Sequence, residues 1–201
     1  MALILLFYYR MRKIAIVDDD ASERIVLKGL LMENGFSVVA EGKSGLEALD
    51  ICRSSTPDLI IMDVRMPGKD GISAALDIGK NCPTPVVLLT ASGDEETIRR
   101  AAEAGVMGYL MKPIREEGLV PTIELAISRF EEFVMLRKEN AELKDALKAR
   151  KTIEKAKGLL MEREKLNEAE AFARIRKIAM DKRKSMTEIA EVIILAFEKE
   201  A

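Results

Sequence analysis

The chain has 201 residues, 48% of them hydrophobic and 33% charged, and 32 basic against 34 acidic side chains leave a net charge of −2. That length allows one domain or two small ones, the composition suits a packed core rather than wholesale disorder, and the charge balance gives no global attraction to nucleic acid. The absence of His excludes Ser-His-Asp and Cys-His catalysis, His-ligated zinc and a phosphohistidine relay on this chain. Cys52 and Cys82 are too few for a zinc site and do not look like a disulfide framework, so they read as reduced thiols of a cytoplasmic protein. The balance hides an asymmetry. From Arg150 onward 13 basic and 10 acidic residues give +3, while the preceding part holds 19 and 24, or −5. The longest apolar run, Ala2 to Tyr9, is far below the ~20 residues of a membrane helix and lacks the basic start and cleavage site of a signal peptide. Residues 1–11 therefore read as an upstream start or an appended tail, with a weak membrane or partner contact as the lesser alternative.

From Arg12 to about Gly118 short apolar runs alternate with longer amphipathic stretches. The runs predict strands at Lys13–Val17, Ser37–Glu41, Leu59–Met62, Val86–Leu89 and Gly108–Met111. Helical patterns fall between them at Ser22–Glu33, Ser44–Arg53, Gly71–Lys80 and Asp94–Ala104. Unbroken runs such as Ile14-Ala15-Ile16-Val17 and Leu59-Ile60-Ile61-Met62 suit strands covered on both faces. Strand–helix alternation implies right-handed crossovers and a parallel sheet. The expectation is a doubly wound α/β domain with a five-stranded parallel sheet over residues 12–122.

After Pro121 the pattern changes. Thr122 to about Arg150 lacks Gly and Pro and is dense in Glu, Lys, Leu and Ala, which predicts one long helix over 123–150. Its second half carries heptads, with Phe133, Asn140 and Leu147 at a and Leu136 and Leu143 at d. In a parallel homodimer Glu132 and Glu139 at g meet Arg137 and Lys144 of the second copy at e. A single Asn at a fixes two strands in register at some cost in stability. The plainer reading is one amphipathic helix packed on its own chain. Residues 151–201 read as a three-helix bundle: about Lys151–Glu164, then a helix opened by the capping box Asn167-Glu168-Ala169-Glu170 to about Lys182, then one opened by Ser185-Met186-Thr187-Glu188 through Phe197. Their apolar stripes are Ile153, Ala156, Leu160; Ala171, Ile175, Ile178, Ala179; and Ile189, Val192, Ile193, Ala196.

Asp18 and Asp19 fall at the end of the first predicted strand and Asp63 at the end of the third. The carboxyl ends of parallel strands form the ligand crevice of such sheets. Carboxylates converging there repel one another unless a cation neutralises them, and an all-oxygen ligand set suits Mg²⁺. Thr90 ends the fourth strand and Lys112 the fifth. A hydroxyl and an ammonium at the same edge as Mg²⁺ make a site for a tri-oxygen anion such as phosphoryl. Acidic residues at strand ends are often ordinary helix caps; five residues, each ending a predicted strand or abutting one, are hard to assign to caps alone.

The motifs Asp18-Asp19-Asp20, Met62-Asp63-Val64-Arg65-Met66-Pro67-Gly68-Lys69-Asp70-Gly71, Leu89-Thr90-Ala91 and Tyr109-Leu110-Met111-Lys112-Pro113 resemble those of response-regulator receiver domains, in family order over about residues 12–125. The resemblance implies a flavodoxin-like fold in which Asp63 accepts a phosphoryl group from a sensor histidine kinase. It also implies Mg²⁺ held by Asp18, Asp19, Asp63 and the backbone carbonyl of Arg65. Phosphoryl-binding and switch positions fall at Thr90, Ala91, Tyr109 and Lys112, with Tyr109 as the aromatic switch. No other catalysis is expected beyond self-phosphorylation and acyl-phosphate hydrolysis, so the chain is not an enzyme in the ordinary sense.

Between Arg150 and Lys184 twelve basic and six acidic residues leave +6, enough to engage phosphates. The candidate contacts are Lys155, Lys157, Arg163, Arg174, Lys177, Lys182, Arg183 and Lys184; the plainer reading is a solvated surface with i,i+4 pairs. Phe172 and Phe197 sit at core spacing, so single-strand stacking platforms are not expected. Ile153-Glu154-Lys155-Ala156-Lys157-Gly158-Leu159-Leu160-Met161, then Glu170-Ala171-Phe172 with Ile175-Arg176-Lys177-Ile178-Ala179-Met180, then Ile189-Ala190, resemble the ANTAR domain of antitermination regulators over about residues 140–200. That resemblance implies RNA stem-loops in nascent transcripts as the target, bound by a homodimer that forms on phosphorylation. Gly158 and Met161 also suit close helix packing. Two alternatives remain open. Ser185-Met186-Thr187-Glu188-Ile189-Ala190 resembles the opening of a DNA-reading helix, although beyond Glu188 that helix has only Lys199 as a basic residue. The tail could otherwise bind a protein and no nucleic acid.

Overall fold

The computed structural model describes residues 11–91 and 93–198; the expected N-terminal extension lies outside them but for Met11. Packing divides the chain after Val134.

In the first unit β1 (Lys13–Val17), β2 (Ser37–Gly42), β3 (Leu59–Asp63), β4 (Val86–Thr90) and β5 (Gly108–Met111) form one parallel sheet, ordered β2-β1-β3-β4-β5. The helices between them are α1 (Ala21–Glu33), α2 (Ala48–Ser55), α3 (Gly71–Asn81) and α4 (Glu95–Glu103). Every position of β3 and β4 is buried, which is why those strands are apolar without alternation. The two-residue period instead sorts side chains between two layers. Ala15, Val17, Ile60, Met62 and Leu88 pack with α2 and α3. Ile14, Ile16, Leu59, Ile61, Val87 and Leu89 pack with α1 and the start of α5 (Glu116–Glu164). The strand order reverses between β1 and β3, so their carboxyl ends flank the crevice that such a reversal leaves.

Most boundaries fall within a residue of expectation, β3 and β4 each running one residue further to Asp63 and Thr90, and two differences have a visible cause. β2 runs one residue further, because Gly42 pairs with Val17 and its carbonyl accepts the Asp18 N–H at 3.1 Å. The helix expected from Ser44 begins only at Ala48. Gly45 lies so close to the loop after β3 that a Cβ there would meet the Lys69 carbonyl oxygen at 2.4 Å. The four residues before Ala48 instead form a turn, with the Glu47 N–H donating to the Ser44 carbonyl at 3.1 Å.

The long helix departs further. It starts at Glu116 and runs to Glu164 without a joint at Arg150, enclosing Pro121 and merging two expected helices. A proline inside a helix costs ~3 kcal/mol. Leu119, Ile123 and Ile127, spaced on one face, are at most 3% exposed against the sheet, and each such burial contributes ~1.5–3 kcal/mol. Packing therefore overrides the proline. No Gly or Pro lies between Thr122 and Lys157, so nothing local interrupts the rest.

In the second unit the end of α5, α6 (Glu168–Lys182) and α7 (Met186–Glu198) form the three-helix bundle around Ala156, Leu160, Ala171, Ile175, Ala179, Ile189 and Ala190. Both capping boxes are present: Asn167 Oδ1 accepts the Glu170 N–H and Glu170 accepts the Asn167 N–H, each at 2.9 Å, and Ser185 and Glu188 exchange the equivalent pair. The buried face of α7 is turned from the expected stripe. Ile189 and Ile193 pack inward as expected, joined by Ala190 and Ile194, while Val192 and Ala196 are exposed. Gly158 faces open space and Met161 is exposed, so neither supports close packing.

Glu188 gives a test of the α7 cap. Its carboxyl is held down to about 2 from an ordinary 4.5, chiefly by Lys184 and then by the Ser185 N–H and hydroxyl. A lowered folded-state pKa stabilises fully above about 4.5 and is lost as pH falls toward about 2. Far-UV circular dichroism of wild type and Glu188→Gln in low salt is expected to differ progressively less across that window. A difference that stays constant there would disprove the assignment, and salt should shrink it because the pair is exposed.

Candidate functional site

The carboxyl edge of the sheet is built by short-range geometry. Asp20 caps α1 by accepting the N–H groups of Ser22 and Glu23 at 2.7 and 3.3 Å, which fixes the turn that carries Asp18 and Asp19. The Asp18 carboxylate accepts the Asp20 N–H at 2.9 Å, and Arg24 Nη1 donates to the Asp18 carbonyl at 2.7 Å. Asp63, at the end of β3, accepts the Arg65 N–H at 2.6 Å. Gly71 opens α3 directly behind it: a Cβ there would lie 2.1 Å from the Asp63 carbonyl oxygen, so only glycine allows that approach.

Lys112 crosses from the end of β5. Its Nζ lies 2.6 Å from Asp63 Oδ1 and 3.0 Å from Asp18 Oδ2 and also pairs with Glu23. Burial opposes the charge on Lys112, but Asp63, Glu23 and Asp18 outweigh it and hold the ammonium well above its ordinary range. Burial pushes the Asp63 carboxyl up; Lys112 opposes this and the neighbouring Asp18 adds to it. One ammonium among three carboxylates leaves net negative charge at the edge. Asp18, Asp19, Asp63, Arg65, Thr90, Ala91 and Lys112 all line one pocket of about 260 Å³.

Among the described residues no three metal-ligating side chains stand together as a ready-made cluster; at this edge the Lys112 ammonium bridges the Asp18 and Asp63 carboxylates. The donor set offered by Asp18, Asp19, Asp63 and the Arg65 carbonyl is nevertheless wholly oxygen, which fits Mg²⁺.

Tyr109 lies elsewhere. It is 50% exposed and borders a second pocket, about 230 Å³, together with Leu88, Ile98, Ala101 and Thr90. Thr90 and Val64 are thus common to both pockets. The sequence patterns gave no role to Glu23 or Gly71. Glu23 reads as an ordinary first-turn acid of α1, and Gly71 as a helix start.

Of the expected basic contacts, Lys155, Arg163, Arg174, Lys177, Lys182, Arg183 and Lys184 are exposed. Lys157 is not: its side chain is 8% exposed, and its Nζ lies 3.0 Å from Glu154 and 2.8 Å from Glu168. Hydrogen bonds from Lys157 to Glu168 and then Glu154 hold the ammonium above its ordinary range. Lys157 therefore ties α5 to the start of α6 and drops out of the candidate contacts. Arg174 pairs with Glu164 at 3.2 Å and Lys184 with Glu188 at 2.8 Å. Lys148 and Lys151, not on the expected set, join Lys155 along a groove of about 460 Å³ against α7. Phe133, Leu136, Asn140, Leu143 and Leu147 are all exposed on α5.

The fold and the acidic edge define a receiver-type regulator carrying a helical second unit. Sequence models of two families match, the response regulator receiver domain over residues 14–124 and the ANTAR domain over 141–194. The transcriptional regulatory protein PdtaR of Mycobacterium tuberculosis (strain H37Rv) is 43% identical over 91% of this chain and 89% of its own. The chemotaxis protein CheY of Bacillus subtilis is 32% identical over 58% of this chain and 98% of its own. Among solved structures, the response regulator domain of Thermotoga maritima CheB covers 59% of this chain and 98% of its own, at 32% identity and TM-score 0.55. The chain belongs to the response regulators that join a receiver domain to an ANTAR domain. Among the described residues no helix is long and apolar enough to cross a membrane.

Proposed function

We propose that phosphorylation of Asp63 controls the binding of RNA hairpins by the second unit, and through it transcription antitermination. The observation that carries the reading is Asp63 itself, a buried carboxylate with the Lys112 ammonium 2.6 Å from one oxygen and the Arg65 N–H 2.6 Å from the other. A carboxylate oxygen attacks the phosphorus of a phosphohistidine on a sensor histidine kinase. The P–N bond breaks, its electron pair leaves with the kinase imidazole, and an acyl phosphate remains on Asp63. Asp18, Asp19, Asp63 and the Arg65 carbonyl would hold Mg²⁺, which when bound would supply charge neutralisation to the phosphoryl oxygens. Lys112, Thr90 and Ala91 engage the remaining oxygens. Movement of Thr90 toward the phosphoryl group opens the pocket it shares with Tyr109, and Tyr109 turns in.

The modified chain then pairs through Phe133, Leu136, Asn140, Leu143 and Leu147. An exposed apolar stripe marks an interaction surface, Asn140 sets its register, and a seam of about three heptads is weak enough to be switched. Two bundles side by side engage paired stem-loops with Lys155, Arg163, Arg174, Lys177, Lys182, Arg183 and Lys184, supported by membership of a family with an ANTAR domain.

The test is a titration with and without beryllofluoride against a two-hairpin RNA and a DNA duplex of matched length, at two salt concentrations. Selective RNA binding, tightened by the phosphoryl mimic and weakened by salt, is the expected result. Equal affinity for both nucleic acids, or for neither, would defeat the RNA reading.

A further inference from the structure

We propose that Cys52 and Cys82 form a reversible disulfide on exposure to a hydroperoxide, stapling α2 to the carboxyl end of α3. The two residues are far apart in sequence, and the fold brings them together in the layer formed by α2 and α3. Cys52, fully buried, lies near the end of α2; Cys82 caps α3, its N–H donating to the Ile78 carbonyl at 2.9 Å. Their sulfurs are 2.7 Å apart, closer than thiols merely resting against each other, so bridging asks for little backbone movement. Cys52 Sγ also lies 3.2 Å from the Cys82 carbonyl and 3.1 Å from Thr84 Oγ1, which restricts it to the side facing its partner. Neither thiol has a role in phosphoryl transfer or RNA binding, and the inference stands independently of both.

The two environments assign the order of steps. Burial, reinforced by its hydrogen bond with Cys82, pushes the Cys52 thiol up to about 12, so it does not start the reaction as a thiolate. Whereas Cys52 is fully buried, Cys82 is only half-buried. Its thiolate attacks the hydroperoxide, the O–O bond breaks, and Cys82 becomes a sulfenic acid with release of water or alcohol. Cys52 sulfur then attacks the sulfenic sulfur. The S–O bond breaks, the hydroxide takes the Cys52 proton, and a second water leaves as the disulfide forms. Two thiols are oxidised and one peroxide is reduced. Where thiols are otherwise kept reduced, the disulfides that do form are usually transient and redox-sensing.

The experiment treats the full chain with equimolar hydrogen peroxide, then alkylates it under denaturing conditions and reads the cysteine peptides by mass spectrometry. The expected product is one peptide pair joined through Cys52 and Cys82, lighter by two hydrogens and restored by dithiothreitol. The bridge closes a loop containing β3 and α3, so the oxidised chain should also unfold several degrees higher. Cys82→Ser should give neither the linked pair nor the thermal shift, and Cys52→Ala, which keeps a small apolar group in the core, serves as its companion. Both thiols remaining alkylatable, oxygen addition without a link, or a link only between two chains would each overturn the proposal.

Discussion

Incubated with acetyl phosphate and Mg²⁺, the wild-type chain is expected to gain the mass of one phosphoryl group, and Asp63→Asn to gain none. The substitution isolates chemistry from folding. Asp63 is buried at the end of β3, and an amide has the same shape there. Its oxygen can still accept from either the Arg65 N–H or Lys112, the two donors now on Asp63. What it lacks is the carboxylate oxygen that attacks phosphorus, a complete loss rather than a graded one. The same variant should abolish any tightening of RNA binding by phosphodonor while leaving basal affinity unchanged. Labelling of Asp63→Asn at the wild-type level would move the acceptor to one of the other carboxylates of that pocket, Asp18, Asp19, Asp20 or Glu23.

Leu119→Ala is expected to cost ~2–5 kcal/mol in urea denaturation, a large share of the ~5–15 kcal/mol that holds a domain together. Leu119 is fully buried in the layer formed by α1 and the start of α5. Truncation removes three carbons where the sheet on one side and the helix backbone on the other limit collapse. The loss should fall on the first unit only, because the bundle core is built from other residues. Leu125, also on α5 but 51% exposed, supplies the control: Leu125→Ala should change stability by no more than ~0.5 kcal/mol. Equal effects at the two positions would mean that the turns around Pro121 do not pack on the sheet.

The contrast between those leucines also explains what could be seen in the sequence. Strands covered on both faces must be apolar at every position, so Leu59-Ile60-Ile61-Met62 announced β3 and placed Asp63 at its end. Five chemically distinctive groups at strand ends made the pocket legible before any coordinates, and Asn167 and Ser185 announced two helices by chemistry within four residues. Tertiary decisions were not legible. Pro121 is a local stop signal, overridden by side chains whose burial depends on a sheet far away in sequence. Lys157 is indistinguishable by type and spacing from Lys155, yet Glu168, across a turn, removes it from the surface. Glu23 carries no mark separating a cap from a partner of Lys112. Cys52 and Cys82 look like isolated thiols until two helices are laid side by side.

The continuity of α5 has a consequence for how such proteins can be recombined. Its first turns complete one hydrophobic core through Ile127, and its last turns begin another at Ile153. A crossover placed at the expected joint near Thr122 would cut through the first core, and one after Ile153 would strip the second of a wall. The tolerant interval for grafting a different output lies between, over residues 128–152. Insertions there must come in multiples of seven to return Leu136, Leu143 and Leu147 to one side of the helix. Lengths that break that count should yield chimeras with both cores intact and no communication between them.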